Sequence, residues 1–128
     1  MSEPTKLSVK RNASAEVKLP LSLREGYHLN SNQPTDPYLI PLKLTWEDSL
    51  LKTDRVEFPK PLMQKFEFAD KPLSVYEGSF VIRTLFHVPA TAMPGPNIVA
   101  GKLRYQACSN TACLPPKTVE VRLPVVIQ

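Results

Sequence analysis

The sequence predicts an all-β protein, an antiparallel β-sandwich, on three observations. Apolar and polar residues alternate with period two through several runs, the mark of strands with one buried and one wet face. Turn-forming clusters separate these runs at short intervals: Glu25-Gly26, Asn30-Ser31-Asn32-Gln33-Pro34, Thr35-Asp36-Pro37, Pro59-Lys60-Pro61 and Pro94-Gly95-Pro96. The chain also carries 14 prolines in 128 residues, about twice the ordinary share of ~5%. Proline breaks helices but is tolerated at strand ends, edges and turns, so its even scatter leaves little room for long helices.

Taken in order, Leu7 to Val9 is a weak strand candidate. Ala15, Val17, Leu19, Leu21 and Leu23 then alternate with Glu16, Lys18, Pro20 and Ser22, a clear strand. His28, beside Tyr27, reads as a loop residue. Tyr38, Ile40, Leu42, Leu44 and Trp46 form a second alternating run. Glu47 to Arg55 is compatible with a helix and is expected as a loop or a single turn. Val56 to Phe58 and Leu73 to Tyr76 are weaker strands. Phe80 to Val88 is apolar on both faces, as expected of a central strand, with His87 packed beside the core. Ile98 to Ala107 is a strand that places Val99, Leu103, Tyr105 and Ala107 on one face. Val119, Val121, Leu123, Val125 and Ile127 form the last strand.

The length fits one domain over 1–128 with a core of its own, and residues 1–14 are expected as a poorly ordered leading segment. The formal net charge of +4 is spread over scattered Lys and Arg without interleaved aromatics, so no nucleic-acid site is expected. No apolar run reaches the ~18 residues of a transmembrane helix. Met1-Ser2-Glu3-Pro4-Thr5-Lys6 is polar and holds no signal-peptide core, which fits either a cytosolic protein or one preceded by a further segment.

Both cysteines lie in Tyr105-Gln106-Ala107-Cys108-Ser109-Asn110-Thr111-Ala112-Cys113-Leu114-Pro115-Pro116, between two strand-like runs. Two thiols at a hairpin tip can bond without help from the rest of the fold. Continuing the alternation of the incoming strand puts Cys108 on its polar side, near the surface, unless a bulge intervenes. The double proline stiffens the exit after Cys113. Closing a loop of about six residues stabilises by roughly 2 kcal/mol, against ~3 for fifteen, a modest staple for a domain with its own core. A redox pair gains from closeness in sequence, because its loop opens and closes with little rearrangement. The residues leave three readings open: a redox pair, a local structural disulfide, and free or metal-bound thiols. Zinc would want a second pair of ligands, and His28 and His87 have no partner spacing. Neither cysteine sits in a Cys-x-x-Cys motif or at an expected helix N-terminus. Arg104 and Lys117 are the nearby cations.

The Tyr105-Gln106-Ala107-Cys108…Cys113-Leu114-Pro115-Pro116 pattern, followed by a valine-rich strand, resembles the amino-terminal domains of DsbD, the periplasmic thiol:disulfide interchange proteins of bacteria. Gly26-Tyr27-His28-Leu29-Asn30-Ser31-Asn32 with Tyr38-Leu39-Ile40-Pro41, and Phe66-Glu67-Phe68-Ala69-Asp70-Lys71 with Val75-Tyr76, are similar to further segments of that family. The resemblance covers the chain from about Ala15 onward. It implies an immunoglobulin-like sandwich with a cysteine-bearing hairpin at one end. It implies a periplasmic electron relay between thioredoxin-fold redox proteins, of the kind that serves cytochrome c biogenesis, with a membrane electron-transfer domain in the full-length protein. It implies no cofactor, metal, nucleic acid or small-molecule substrate.

By position, Cys113 corresponds to the cysteine that forms mixed disulfides and Cys108 to the one that resolves them. Phe68 corresponds to a cap aromatic over the disulfide, with Phe66 competing for that place. Tyr105, Gln106 and Pro115 are supporting residues of the motif, and Glu67 and Asp70 match the family's acidic cap residues loosely. The cysteine spacing is one residue shorter than the family's, which bears on the disulfide's potential. Outside the resemblance stand a binding or structural module with a static loop disulfide, and a cytosolic metal chaperone using Cys108, Cys113 and a histidine.

Overall fold

A computed structural model describes residues 6–36, 38–47 and 50–128. Its described residues form eleven strands and no helix: β1 (Leu7–Val9), β2 (Ser14–Ser22), β3 (His28–Asn30), β4 (Lys43–Trp46), β5 (Lys52–Glu57), β6 (Leu62–Gln64), β7 (Leu73–Glu77), β8 (Ser79–His87), β9 (Gly95–Tyr105), β10 (Ala107–Cys108) and β11 (Lys117–Ile127). They pair in the orders β1-β11-β9-β4, β2-β8-β5 and β10-β3-β7-β6. Only β1 with β11 is parallel; the other pairs are antiparallel.

The alternating runs form the inner faces. Val17, Leu19 and Leu21 of β2 and Ile82 and Phe86 of β8 share one core cluster with Leu44 and Trp46 of β4, Val99 and Leu103 of β9, and Val121, Leu123, Val125 and Ile127 of β11. That is sheet packed on sheet, the sandwich the pattern predicts. Phe80 to Val88 is indeed central, with β8 between β2 and β5. Gly78, at φ +64°, is the only residue between β7 and β8, and glycine takes that left-handed conformation without steric cost. The third sheet thus prolongs the course of the second. Leu29 and Tyr76 join it to the main core, while Phe66, Leu73 and Val75 form a small core of their own.

Four expectations are corrected. The strand placed from Tyr38 begins at Lys43. Tyr38 is 90% exposed, because Asp36 makes a turn there: its Oδ1 accepts the Tyr38 N–H at 2.9 Å and its carbonyl the Leu39 N–H at 3.1 Å. Local side-chain bonding of this kind competes with a ladder. The loop expected over Glu47 to Arg55 gives way to β5 from Lys52; Asp48 and Ser49 lie outside the described residues. An exposed edge strand shows no apolar alternation, and its register shifts between Thr53 and Arg55. His28 is a buried strand residue, not a loop residue. Finally, the strand expected through Ala107 ends at Tyr105, with consequences for Cys108 set out below. Of the leading segment, residues 1–5 lie outside the described residues, while Leu7 to Val9 pairs with Val125 to Ile127.

The sandwich is pinned by its one tryptophan. Trp46 Nε1 donates to Thr84 Oγ1 of the facing sheet at 2.9 Å, and its ring meets Phe86 edge-on at 5.4 Å. Trp46 lies opposite Gly101 in the β4–β9 ladder. A Cβ on Gly101 would sit 2.7 Å from Trp46 Cε3. The Gly101→Ala variant is therefore expected to lose about 1–3 kcal/mol of stability, read as a lower denaturant midpoint with an unchanged slope.

Candidate functional site

After Tyr105 the chain leaves the β9 ladder at Gln106, and the next two residues pair with a different sheet. Ala107 lies opposite Leu29 and Cys108 opposite His28, on β3. This switch reverses the expected exposure. Cys108 is fully buried rather than on the polar surface, while Cys113 is exposed. Gln106 holds the switch. Its Oε1 accepts from Asn30 Nδ2 at 3.2 Å and the Ile40 N–H at 3.4 Å, and its Nε2 donates to the Leu114 carbonyl at 3.3 Å. Tyr105, half-buried, packs against the main core, and Pro115 is exposed beyond the hairpin.

The two cysteines face one another as an isolated antiparallel bridge and are joined by a disulfide, with Cα atoms 3.9 Å apart. The turn between them is tight. Ser109 N–H donates to the Ala112 carbonyl at 2.8 Å, Ser109 Oγ accepts the Ala112 N–H at 3.3 Å, and Leu114 N–H donates to the Ala107 carbonyl at 2.8 Å. The bond removes one of the three readings left by the residues, free or metal-bound thiols; a redox pair and a local structural disulfide both contain it.

His28 is the residue that sequence reasoning missed. It stands between Cys108 on β10 and Glu77 on β7, as the cross-strand partner of each. Opposed residues of an antiparallel pair share a face, with Cβ atoms roughly 4.5–5.5 Å apart. Glu77, His28 and Cys108 therefore form one row across three strands. Phe66, 7% exposed, stacks on the imidazole with ring centroids 4.0 Å apart and planes at 15°. His28 Nε2 is buried without a hydrogen-bond partner. Burial pushes the imidazole pKa below its ordinary value, and the Glu77 carboxylate opposes this in part.

Phe66 belongs to a turn closed by the Ala69 N–H donating to the Phe66 carbonyl at 3.2 Å. Lys65 Nζ donates to the Phe66 and Ala69 carbonyls. The turn separates two cavities. One, of about 450 Å³, is lined by residues 23–28, Phe66, Glu77, Gly78 and Asn110 from the hairpin tip. The other, of about 460 Å³, is lined by Phe68, Ala69 and Asp70 with Thr35, Asp36 and Leu39. Phe68 is 37% exposed, with its ring centroid 5.7 Å from that of Phe66 and 6.3 Å from that of His28. Both expected cap aromatics thus gather at the histidine, Phe66 inside and Phe68 at the rim. Glu67 and Asp70 are exposed. Among the described residues no group of three or more His, Cys, Asp and Glu is placed to hold a metal ion.

An immunoglobulin-like sandwich with a disulfide hairpin at one end defines the class of protein. The family of the amino-terminal domain of the thiol:disulfide interchange protein DsbD matches residues 2–124. The chain belongs to that family and is a thiol–disulfide exchange domain. Among solved structures it is similar to the reduced amino-terminal domain of Neisseria meningitidis DsbD, at 20% identity and TM-score 0.55, over 88% of this chain and 79% of that one. The amino-terminal periplasmic domain of Proteus mirabilis ScsB is similar at 16% identity and TM-score 0.65, over 89% of this chain; the chain spans 42% of its length. A type I cohesin from Pseudobacteroides cellulosolvens ScaB shares the fold at 12% identity and TM-score 0.54, over 98% of this chain and 89% of that one. No curated protein sequence matches.

The buried imidazole gives this end of the molecule an acid-sensitive element. A histidine whose folded pKa is lowered binds its proton more readily when unfolded. Its contribution to stability is therefore complete above the ordinary imidazole pKa of 6.5 and is lost as pH falls from there toward the lowered folded value. Denaturant titrations from pH 7.5 down to 5 are expected to show this loss in the wild type and a smaller one in His28→Phe.

Proposed function

We propose that the domain relays electrons between thioredoxin-fold redox proteins by opening and closing the Cys108–Cys113 disulfide. The observation that carries this reading is the contrast in exposure between the two cysteines. Exposed Cys113 meets the partner, and buried Cys108 receives or delivers the electron pair within the domain. When electrons arrive, a partner thiolate attacks Cys113 Sγ, the disulfide breaks, and Cys108 Sγ leaves with the bond's electron pair and takes up a proton. The partner's second thiol then attacks the mixed disulfide, leaving the partner oxidised and the domain a dithiol. When electrons leave, the same steps run in reverse toward an oxidised partner.

The periplasm is the proposed setting, in keeping with the relatives, one of which is a periplasmic domain by name. There a reduced pair must be hidden from oxidants yet open to its partner. Phe66 is the proposed inner shield and Phe68 the outer one, on a turn able to swing away. Glu67 and Asp70, exposed beside them, would face an arriving partner. Tyr105, Gln106 and Pro115 set the frame of the hairpin. A membrane domain of a longer protein, of which this chain is one part, is the proposed partner on one side of the relay.

The trapping experiment decides between exchange and a static crosslink. With Cys108→Ser, a reduced Cys113 thiol is expected to hold a thioredoxin-fold protein as a stable mixed disulfide on non-reducing gels. With Cys113→Ser the adduct is expected to be absent. Failure of the Cys108→Ser variant to trap any member of that class would leave an immunoglobulin-like binding or structural module with a static loop disulfide.

The shield has its own test. Phe66→Ala is expected to speed reduction of the disulfide by dithiothreitol about tenfold, since the ring covers His28, the cross-strand neighbour of Cys108. Phe68→Ala is expected to have the smaller effect. Equal rates in all three proteins would remove the shielding role.

A further inference from the structure

We propose that His28 is the proton acceptor for the Cys108 thiol, taking its proton when Cys108 closes the disulfide and releases an oxidising partner. This rests on the exchange reading above and adds to it a residue and a step.

The geometry that carries the proposal is the Glu77–His28–Cys108 row, in which the imidazole is the direct cross-strand neighbour of both a carboxylate and a cysteine. A carboxylate, a base and a thiol in that order are the parts of an activated-cysteine site. The second observation is the unpartnered Nε2. Buried polar atoms are nearly always bonded, and an exception asks for a reason. Here the redox state supplies it. With the disulfide closed, the Cys108 sulfur has no proton to give. When the pair is reduced, the same sulfur becomes an S–H donor on the residue directly across from His28, whose Nε2 has no partner. In the Nδ1–H tautomer Nε2 carries the free lone pair that the proposed transfer requires.

A buried thiol resists ionisation, because its thiolate is desolvated. Cys108, with no exposed surface, needs a neighbouring base more than Cys113 does. The imidazole under Phe66 is kept neutral and so is ready to accept. Glu77 steadies the imidazolium once it forms. The other charged or titratable groups lining the cleft are Arg24, Glu25 and Tyr27, and the Lys65 ammonium is engaged by the carbonyls of the Phe66–Ala69 turn.

The step balances as follows. Cys113 is joined to a partner sulfur in a mixed disulfide. Nε2 takes the proton of Cys108, and the Cys108 thiolate attacks Cys113 Sγ. The Cys108–Cys113 bond forms, the Cys113–partner bond breaks, and its electron pair leaves on the partner sulfur. The proton on His28 passes to that thiolate or to water. The two domain sulfurs have lost two electrons, and the oxidised partner has gained them.

Glutathione disulfide serves as the probe. The reduced chain is mixed with it, quenched with acid at intervals and followed by mass spectrometry, which separates formation of the Cys113–glutathione adduct from its closure by Cys108. In His28→Phe, which keeps a ring under Phe66, adduct formation is expected within about threefold of wild type. Closure at pH 7 is expected to slow by about a hundredfold or more, so the adduct accumulates. The wild-type closure rate should level off above the imidazole pKa, whereas that of the variant should climb about tenfold per pH unit with the thiolate fraction. Closure within threefold of wild type with the same pH profile overturns the proposal, as does an equal slowing of both steps. Should His28→Phe fail to fold, Glu77→Gln is expected to slow closure severalfold, and an unaltered closure rate in it overturns the proposal instead. The probe is a tripeptide, so this outcome is independent of whether thioredoxin-fold proteins are trapped by Cys108→Ser.

Discussion

The reactive end of this protein depends on a short strand in an unusual place. Residues 107 and 108 leave the long β9–β11 ladder and add to β3. Had the chain continued along β9, Cys108 would have followed Arg104 and Gln106 to the solvent face. The switch turns it into the protein, opposite His28. Gln106 makes this possible with one side chain, binding Asn30 and the Ile40 backbone on one side and the hairpin exit at Leu114 on the other. Backbone groups freed from one ladder must be taken up elsewhere, and the β3 edge and the Ser109–Ala112 turn take them up.

Burying one cysteine and exposing the other separates the two tasks of the proposed exchange. In the proposed relay the exposed cysteine meets another protein with no change in the sandwich. The buried one, in the same relay, leaves or attacks in a place that solvent does not set. The main core includes neither cysteine, so breaking the bond removes only a small loop constraint, roughly 2 kcal/mol. Trp46, Thr84 and Gly101 hold the two main sheets by contacts that do not pass through the hairpin. The proposed exchange thus asks for movement only in the hairpin and the turn bearing Phe66 and Phe68.

The long strands were legible because one face of each packs on the core, and burial writes itself as alternation. Val17 to Leu21 and Val121 to Ile127 are of this kind. β5 was legible only at its end: as an exposed edge strand it is polar from Lys52 to Arg55, and Val56 alone turns toward the core. β3 was not legible for the opposite reason. His28, Leu29 and Asn30 are all buried, so no alternation remains, and a three-residue strand of His, Leu and Asn carries no β signal of its own. The cysteine pair was plain in the sequence, and the family resemblance marked the aromatics near it. The exposure of Cys108 was misread because periodicity assumes one strand in one sheet, and Gln106 ends that strand. The closeness of His28 to Cys108 follows from a pairing across about eighty residues, which local pattern does not encode.

The central claim is that the two cysteines are unequal by construction, one enclosed and one open. Reducing the chain and following its alkylation by iodoacetamide, with peptide mass spectrometry resolving Cys108 from Cys113, tests this most directly. The account predicts that Cys113 is modified at least about a hundredfold faster than Cys108 under native conditions, and that the two rates converge in denaturant. Equal native rates, or a faster Cys108, would contradict it.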